Sequence, residues 1–251
     1  MQPVFTIITV TYNAEQWLER TILSVLGQSY PAIEYIIIDG GSTDKTIQII
    51  QQYISGIAYT VSEVDHGLYD AMNKGLKRAT GDYVWFINAG DTLYSSDIIQ
   101  TIVNKISKRK KLPDILYGET EIIDTKGRSL GKRRLKAPKE LTWKKFRMGM
   151  LVCHQSFVVK KSIAPEYNLQ YRFSSDFDWC IRCLKKSKKN INTHLILSCF
   201  LKGGMTSANR KASLKERYHI MCQYYGRLST SILHIWFFIR FYTTKWFSPN
   251  V

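Results

Sequence analysis

The sequence predicts an α/β protein with a mostly parallel central sheet, helices on both faces, and a helical C-terminal extension. Three observations carry this expectation. Short β-branched runs alternate with amphipathic helical stretches over residues 1–98. The connections between them are short, as in a doubly wound sheet. The stretch from Leu214 to Phe247 is helical in pattern and rich in aromatics.

The elements follow in order. Residues 4–11 (VFTIITVT) form the kind of run that a parallel strand buried on both faces requires. In AEQWLERTILSVLGQ, Trp17, Leu18, Ile22, Val25 and Leu26 recur at helical spacing, and Gly27 is a plausible stop. A second buried strand, YIIID (35–39), ends in Asp39 and is followed by the turn GGSTD and a helix TIQIIQQYI. Residues 57–62 suit a short third strand, YDAMNKGLKRA a helix closed by Thr80-Gly81, and YVWFIN (83–88) a further strand. The right-handed crossover rule places the loops after Thr11, Asp39 and Asn88 on one rim, where α/β sheets bind ligands. Beyond residue 98, SDIIQTIVNKISKRKK reads as an amphipathic helix with a basic tail, and ILYGETEII with GRSLGKRR as a hairpin or paired strands. CHQSFVVKKS reads as a strand and turn. SSDFDWCIRCLKKSKK reads as a helix whose Ser174, Ser175 and Asp176 favour its N-terminus.

Charge divides the chain. Residues 1–98 carry 5 basic and 11 acidic side chains, whereas 99–251 carry 31 and 9, nets of −6 and +22. A uniformly basic nucleic-acid coat does not have this pattern, and no zinc-finger, helix-turn-helix or RNP-type signature accompanies the basic part. The acidic part suits a metal or polar ligand, and the basic part an anionic surface. The N-terminus lacks the charged leader and cleavage site of a signal peptide, and no long uncharged apolar run predicts a spanning helix, so the cytoplasm is expected. The five cysteines form no disulfide framework, and the Cys180–Cys183 pair is read as two half-buried helix residues.

Four carboxylates end apolar strands or sit in the loops just beyond: Asp39, Asp65, Asp91 and Asp176. One such residue is usually a cap or turn former, and Asp44, in a Ser-Thr-Asp cluster, is read as capping the next helix. Several on one rim ask for a common cause, and a divalent cation with a polyphosphate ligand supplies one.

At this point the sequence resembles a known family. TIITVTYNAEQWLERTILSVLGQSYPAIEYIIIDGGSTDKT and EVDHGLYDAMNKGLKRATGDYVWFINAGD are similar to the family 2 glycosyltransferases with the GT-A nucleotide-sugar fold. The likeness runs from residue 4 to about 100 and resumes at CHQSFV and SSDFDW. DHGLYDAMNKG, NAGD and CHQ are most like enzymes that build bacterial capsule, exopolysaccharide or lipopolysaccharide chains.

The resemblance implies a GT-A domain over 1–212, with a nucleotide-binding half (1–98) and an acceptor-binding half (99–212), and a helical extension over 213–251. It implies an inverting transfer from a nucleotide-diphosphate sugar, uridine ahead of guanosine, to a hydroxyl of a lipid-linked glycan. Thr9, Thr11, Tyr12 and Asn13 would surround the nucleoside, with Asp39 accepting from the base imide. Asp65 and Gly67 would lie near the ribose or base, and Lys74 near the diphosphate. Asn88, Ala89, Gly90 and Asp91 stand where the family has its acidic metal motif. This chain keeps only Asp91 there, so Mg²⁺ or Mn²⁺ is expected to bind weakly without the nucleotide. Asp176 aligns with the catalytic base, with Asp178 as its rival; if Asp176 opens a helix, an N-cap is the alternative role. His154 and Gln155 fall where the family lines the acceptor pocket, although a His after an apolar run also suits a core position. The loop Lys202–Ser207 is a candidate lid over the diphosphate.

The tail from Ser231 to Phe247, with the basic clusters at 108–111, 132–134 and 185–189, suits an anionic membrane surface on the inner face of the cell membrane. Packing on the domain or in a homo-oligomer is the alternative. A glycosyltransferase-like fold without turnover competes with the enzyme reading because the acidic motif is thinned; a nucleic-acid-binding protein is the weaker competitor.

Overall fold

In a computed structural model, residues 2–203 and 209–247 are described, the last of these (240–247) by backbone alone. Its strands are β1 (Phe5–Thr11), β2 (Ile33–Asp39), β3 (Tyr59–Ser62), β4 (Tyr83–Phe86), β5 (Thr92–Leu93), β6 (Ile115–Ile123), β7 (Ser129–Lys132), β8 (Phe157–Lys160) and β9 (Asn190–Leu201). The helices are α1 (Leu18–Leu26), α2 (Thr46–Gln52), α3 (Leu68–Arg78), α4 (Ile98–Ser107), α5 (Ser175–Lys186), α6 (Arg210–Tyr225) and α7 (Arg227–Phe247). The strands form one sheet in the order β3-β2-β1-β4-β8-β6-β9-β5, with β7 beside β6.

Both sheet faces are covered, and the two-residue side-chain period of the strands sorts the core accordingly. Ile7, Ile37 and Trp85 point into one cluster with Leu18, Ile22 and Val25 of α1 and Ile99 and Ile102 of α4. Ile8, Ile36 and Ile38 point into the other, with Met72 and Leu76 of α3 and Phe177 and Ile181 of α5. The β-branched runs are therefore strands with no solvent face, as their unbroken hydrophobicity requires.

Register sets the functional rim. β1 runs parallel to β2 with Thr11 opposite Asp39, and β2 parallel to β3 with Asp39 opposite Ser62. β4 lies parallel on the other side of β1, and Asn88 and Asp91 follow its end. Thr11, Asp39 and Asn88 thus share one rim, as the crossover rule predicts.

The second half of the sheet is mixed. β8 is antiparallel to β4 and β6, whereas β9 is parallel to β6 and antiparallel to β5. β6 and β7 form the expected hairpin. Periodicity did not reveal β9, because its pattern is broken. Polar Asn190, Asn192 and His194 interrupt it, His194 has φ 56°, and the register against β6 shifts near Glu119.

Candidate functional site

The rim is held together by side chains that bond to neighbouring loops. Asp39 is fully buried; its carboxylate accepts from the Gly41 and Ser42 amides (3.0 and 2.8 Å) and from the hydroxyls of Ser42 and Ser62. It therefore shapes the turn after β2 from within. Asn13 adopts φ 47° and joins β1 to the same turn, its Oδ1 accepting from the Thr43 amide at 2.9 Å. Asp44 accepts from the Thr46 amide (3.0 Å) in the first turn of α2 and from the Glu15 amide (3.1 Å). Thr9 is buried and donates to the Ile87 carbonyl at 2.7 Å, tying β1 to the end of β4. Tyr12, which follows the end of β1 on this rim, is 64% exposed.

Two atoms on the rim stand out. Thr11 Oγ1 and Asn88 Oδ1 are buried, and neither has a hydrogen-bond partner among the described residues. Buried acceptors without donors are costly, about 1–3 kcal/mol each. A ligand whose hydroxyl or N–H groups reach the ends of β1 and β4 would relieve both.

Asp65 is nearly buried and pairs with Lys74 of α3 at 2.5 Å; Lys74 also meets Glu63 at 2.8 Å and Asp70 at 3.7 Å. Burial raises the Asp65 pKa against the opposing pull of Lys74. For Lys74, burial lowers the pKa, but the carboxylates outweigh it and raise it overall. Lys74 thus locks the β3–α3 loop onto its helix. Gly67, with φ 110°, immediately precedes α3, and an L side chain there would be strained.

Asp91 is 4% exposed. Its Oδ1 accepts from the Leu201 amide at 2.9 Å and its Oδ2 from the Gln155 side-chain amide at 2.8 Å. Burial pushes its pKa up to about 7, opposed by those hydrogen bonds and by Arg20. Gly90 adopts φ 98°, and a Cβ there would lie 2.7 Å from Leu201. Asn88, Ala89, Gly90 and Asp91 are therefore a turn clasped against the end of β9. No group of three His, Cys, Asp or Glu suited to a metal occurs among the described residues. With one carboxylate already engaged at both oxygens, the protein side chains do not by themselves make a divalent-cation cage. Cys180 and Cys183 are buried in α5.

Asp176 lies in the first turn of α5. Its Oδ1 accepts from the Phe177 amide (2.8 Å) and from the Tyr69 hydroxyl (3.2 Å). Its Oδ2 carries no hydrogen bond among the described residues. Asp178 differs: it is 3% exposed, with Oδ1 held by Tyr224 and Oδ2 by Arg182, both at 2.7 Å. Among the described residues, Asp176 alone of the two carboxylates has an oxygen without a hydrogen bond.

His154 and Gln155 are both buried. His154 Nε2 lies 2.7 Å from the Tyr167 hydroxyl, among the rings of Phe86, Tyr167 and Trp179. Burial pushes its pKa down to about 4, against the pull of Asp176, so the imidazole is neutral near pH 7. Gln155 reaches the rim through Asp91. Its backbone carbonyl accepts from Trp85 at 2.8 Å. Of the candidate lid, residues 204–207 lie outside the described residues. Sequence reasoning passed over Tyr69, which shares the DHGLYDAMNKG motif with Asp65 and Gly67 and reaches Asp176 only through the fold.

Comparisons with known proteins bear on the family and the fold. Residues 6–165 match the family model described as Glycosyl transferase family 2. A PGL/p-HBAD biosynthesis glycosyltransferase of Mycobacterium bovis (strain BCG / Pasteur 1173P2) is 32% identical over 188 residues, 72% of this chain and 70% of the relative. An uncharacterized glycosyltransferase of Mycobacterium tuberculosis (strain CDC 1551 / Oshkosh) is 31% identical over 186 residues, 72% of this chain and 68% of the relative. Among solved structures, S. aureus TarS 1–349 in complex with UDP superposes with a TM-score of 0.68 at 16% identity, over 92% of this chain and 65% of that one. This chain thus spans just under two thirds of that TarS chain. The mannosyltransferase PcManGT from Pyrobaculum calidifontis, in complex with GDP-Man and Mn²⁺, superposes with a TM-score of 0.65 at 15% identity, over 93% of this chain and 70% of that one.

Proposed function

The chain belongs to glycosyl transferase family 2, with the GT-A fold, and on that premise we propose that it is an inverting transferase of bacterial surface-glycan assembly. It takes a sugar from a nucleoside-diphosphate donor, uridine first. The observation that carries the donor reading is the pair of unsatisfied buried oxygens, Thr11 Oγ1 and Asn88 Oδ1, on the rim with exposed Tyr12. Ribose hydroxyls and base N–H groups are donors of the kind these oxygens need, and the exposed ring of Tyr12 suits stacking with a base.

The chemistry then follows from Asp176. Its free Oδ2 removes the proton from an acceptor hydroxyl as that oxygen attacks the anomeric carbon. The bond from that carbon to the β-phosphate oxygen breaks, and the nucleoside diphosphate leaves with the electron pair. Attack on the face opposite the leaving group inverts the anomeric configuration. The side chains present do not fit a protein-built cation site, so no step is assigned to a metal; a cation would have to arrive with the donor's phosphates.

UDP at about 100 times its dissociation constant is expected to raise the melting temperature by roughly 5–10 °C, since specific binding adds about 2.7 kcal/mol. UDP-sugars and GDP-mannose form the other arms. A protein that none of them stabilises would not be a nucleotide-sugar enzyme.

The acceptor is proposed to be lipid-linked and the protein peripheral on an anionic bilayer. No helix among the described residues is long and apolar enough to cross a membrane. α7 packs inward through Thr230, Leu233 and Phe237, while Leu228, Ile232, Ile235 and Ile239 are more than half exposed. Their spacing places these four residues on one face. The +22 of residues 99–251 complements anionic headgroups. In flotation assays the protein is expected to rise with phosphatidylglycerol vesicles, and not with neutral ones, unless Ile232→Glu and Ile235→Glu are introduced. A dimer dissolved by the same substitutions, with no flotation, would make the stripe a subunit contact instead.

A further inference from the structure

We infer that Tyr69 is a positioning residue for the reaction, holding one oxygen of Asp176 so that the other faces the acceptor hydroxyl. The inference rests on the proposed role of Asp176 as the base. Tyr69 stands in the first turn of α3, just after the loop locked by Asp65 and Lys74, so it links the donor-side rim to the N-terminus of α5. It is 5% exposed, and its ring stacks on Tyr167 with centroids 5.6 Å apart. Tyr167 in turn stacks on Trp179 at 5.0 Å. A phenol inside such a stack has little freedom, and its hydroxyl meets Asp176 Oδ1 at 3.2 Å.

The choice of partner is informative. The buried hydroxyls of Tyr30 and Tyr83, and that of half-buried Tyr225, each donate to a backbone carbonyl, the usual way for a core tyrosine to satisfy its O–H. Tyr69 donates to a carboxylate that has no ion pair among the described residues. Tyr224 also meets a carboxylate, but that one, Asp178, is balanced by Arg182. Burial first, and then the charge of Asp176, holds the Tyr69 pKa well above the ordinary range, so the phenol keeps its proton. With the Phe177 amide on the same oxygen, Oδ1 has two donors and the carboxylate plane is fixed. Oδ2, which has no hydrogen bond among the described residues, is then held in one orientation, which is what general-base catalysis rewards.

The test is Tyr69→Phe, which keeps both ring stacks and removes only the O–H. Turnover is measured as release of nucleoside diphosphate, with water as acceptor, from UDP-N-acetylglucosamine, UDP-glucose, UDP-galactose and GDP-mannose. The expected result is a fall in kcat of roughly 10- to 100-fold with donor KM changed by less than about two-fold. In an Asp176→Asn background the same substitution is expected to have no further effect, because the group it orients is gone. Tyr83→Phe, which removes a buried hydroxyl bonded to the Pro113 carbonyl at 2.6 Å, is the stability control and leaves kcat unchanged. Wild-type kcat in Tyr69→Phe, or an equal loss with and without Asp176, would overturn the inference. Full turnover in Asp176→Asn alone would instead overturn the base reading, and it needs no Tyr69 variant to be seen.

Discussion

Replacing Asp176 with Asn is expected to lower sugar transfer by roughly 10²–10⁴-fold while UDP still raises the melting temperature as in the wild type. The asparagine keeps the size of the side chain, and its Oδ1 still accepts from the Phe177 amide and Tyr69 hydroxyl. What disappears is an oxygen able to take a proton, because Oδ2 becomes an amide nitrogen. The effect therefore falls on the chemical step and not on the rim that is proposed to bind the nucleotide. Asp178→Asn is the contrast. Both oxygens of Asp178 are committed, one to Arg182 within α5 and one to Tyr224 of α6, so that change should act through stability, by weakening the Arg182 pair and the link between α5 and α6. If Asp176→Asn transferred sugar at the wild-type rate while Asp178→Asn did not, the two roles would have to be exchanged.

Asp91→Ala is the second large effect. It leaves the Leu201 amide and the Gln155 side-chain amide as buried donors without acceptors, at about 1–3 kcal/mol each. The melting temperature should fall by roughly 5–15 °C for a chain of this size. Asp91→Asn should recover part of the loss, because its remaining oxygen still accepts from Leu201. The pH dependence has a definite sign. Burial raises the Asp91 pKa from 3.8 to about 7, so between those values the folded state holds a proton that the unfolded chain has lost. Its contribution to stability is full below about 4 and is lost as pH rises through 7. Asn does not titrate, so the stability of the wild type relative to Asp91→Asn should decline from pH 4 to 7. Without nucleotide, Mn²⁺ should leave the melting temperature unchanged. A rise present in the wild type and absent in Asp91→Asn would give Asp91 the role of metal ligand.

The legible part of the site was the part made by local sequence. Thr11, Asp39 and Asn88 end or follow hydrophobic runs that have only one way to lie in a doubly covered parallel sheet, so their common rim followed from periodicity and crossover handedness. Contacts across long sequence separations were not legible. Nothing in NAGD announces that its aspartate closes on Leu201, 110 residues away, or on Gln155. The clasp depends on β9, whose polar interruptions hid it. Tyr69 meets Asp176 across 107 residues, because α3 and α5 pack on the same sheet face.

The amino-acid sequence by itself determined the layer architecture, the acidic-to-basic division of the chain and the strand-end positions of the candidate site. Those properties depend on hydrophobic period, turn chemistry and charge count, all of which are local or additive. Only the tertiary structure decided which carboxylates are spent and which are free. Asp39, Asp91 and Asp178 look alike in sequence to Asp176, yet the described residues surround the first three with donors and leave one oxygen of Asp176 without one. A carboxylate's chemistry is set by what fills its lone pairs, and those donors come from segments that only folding brings together.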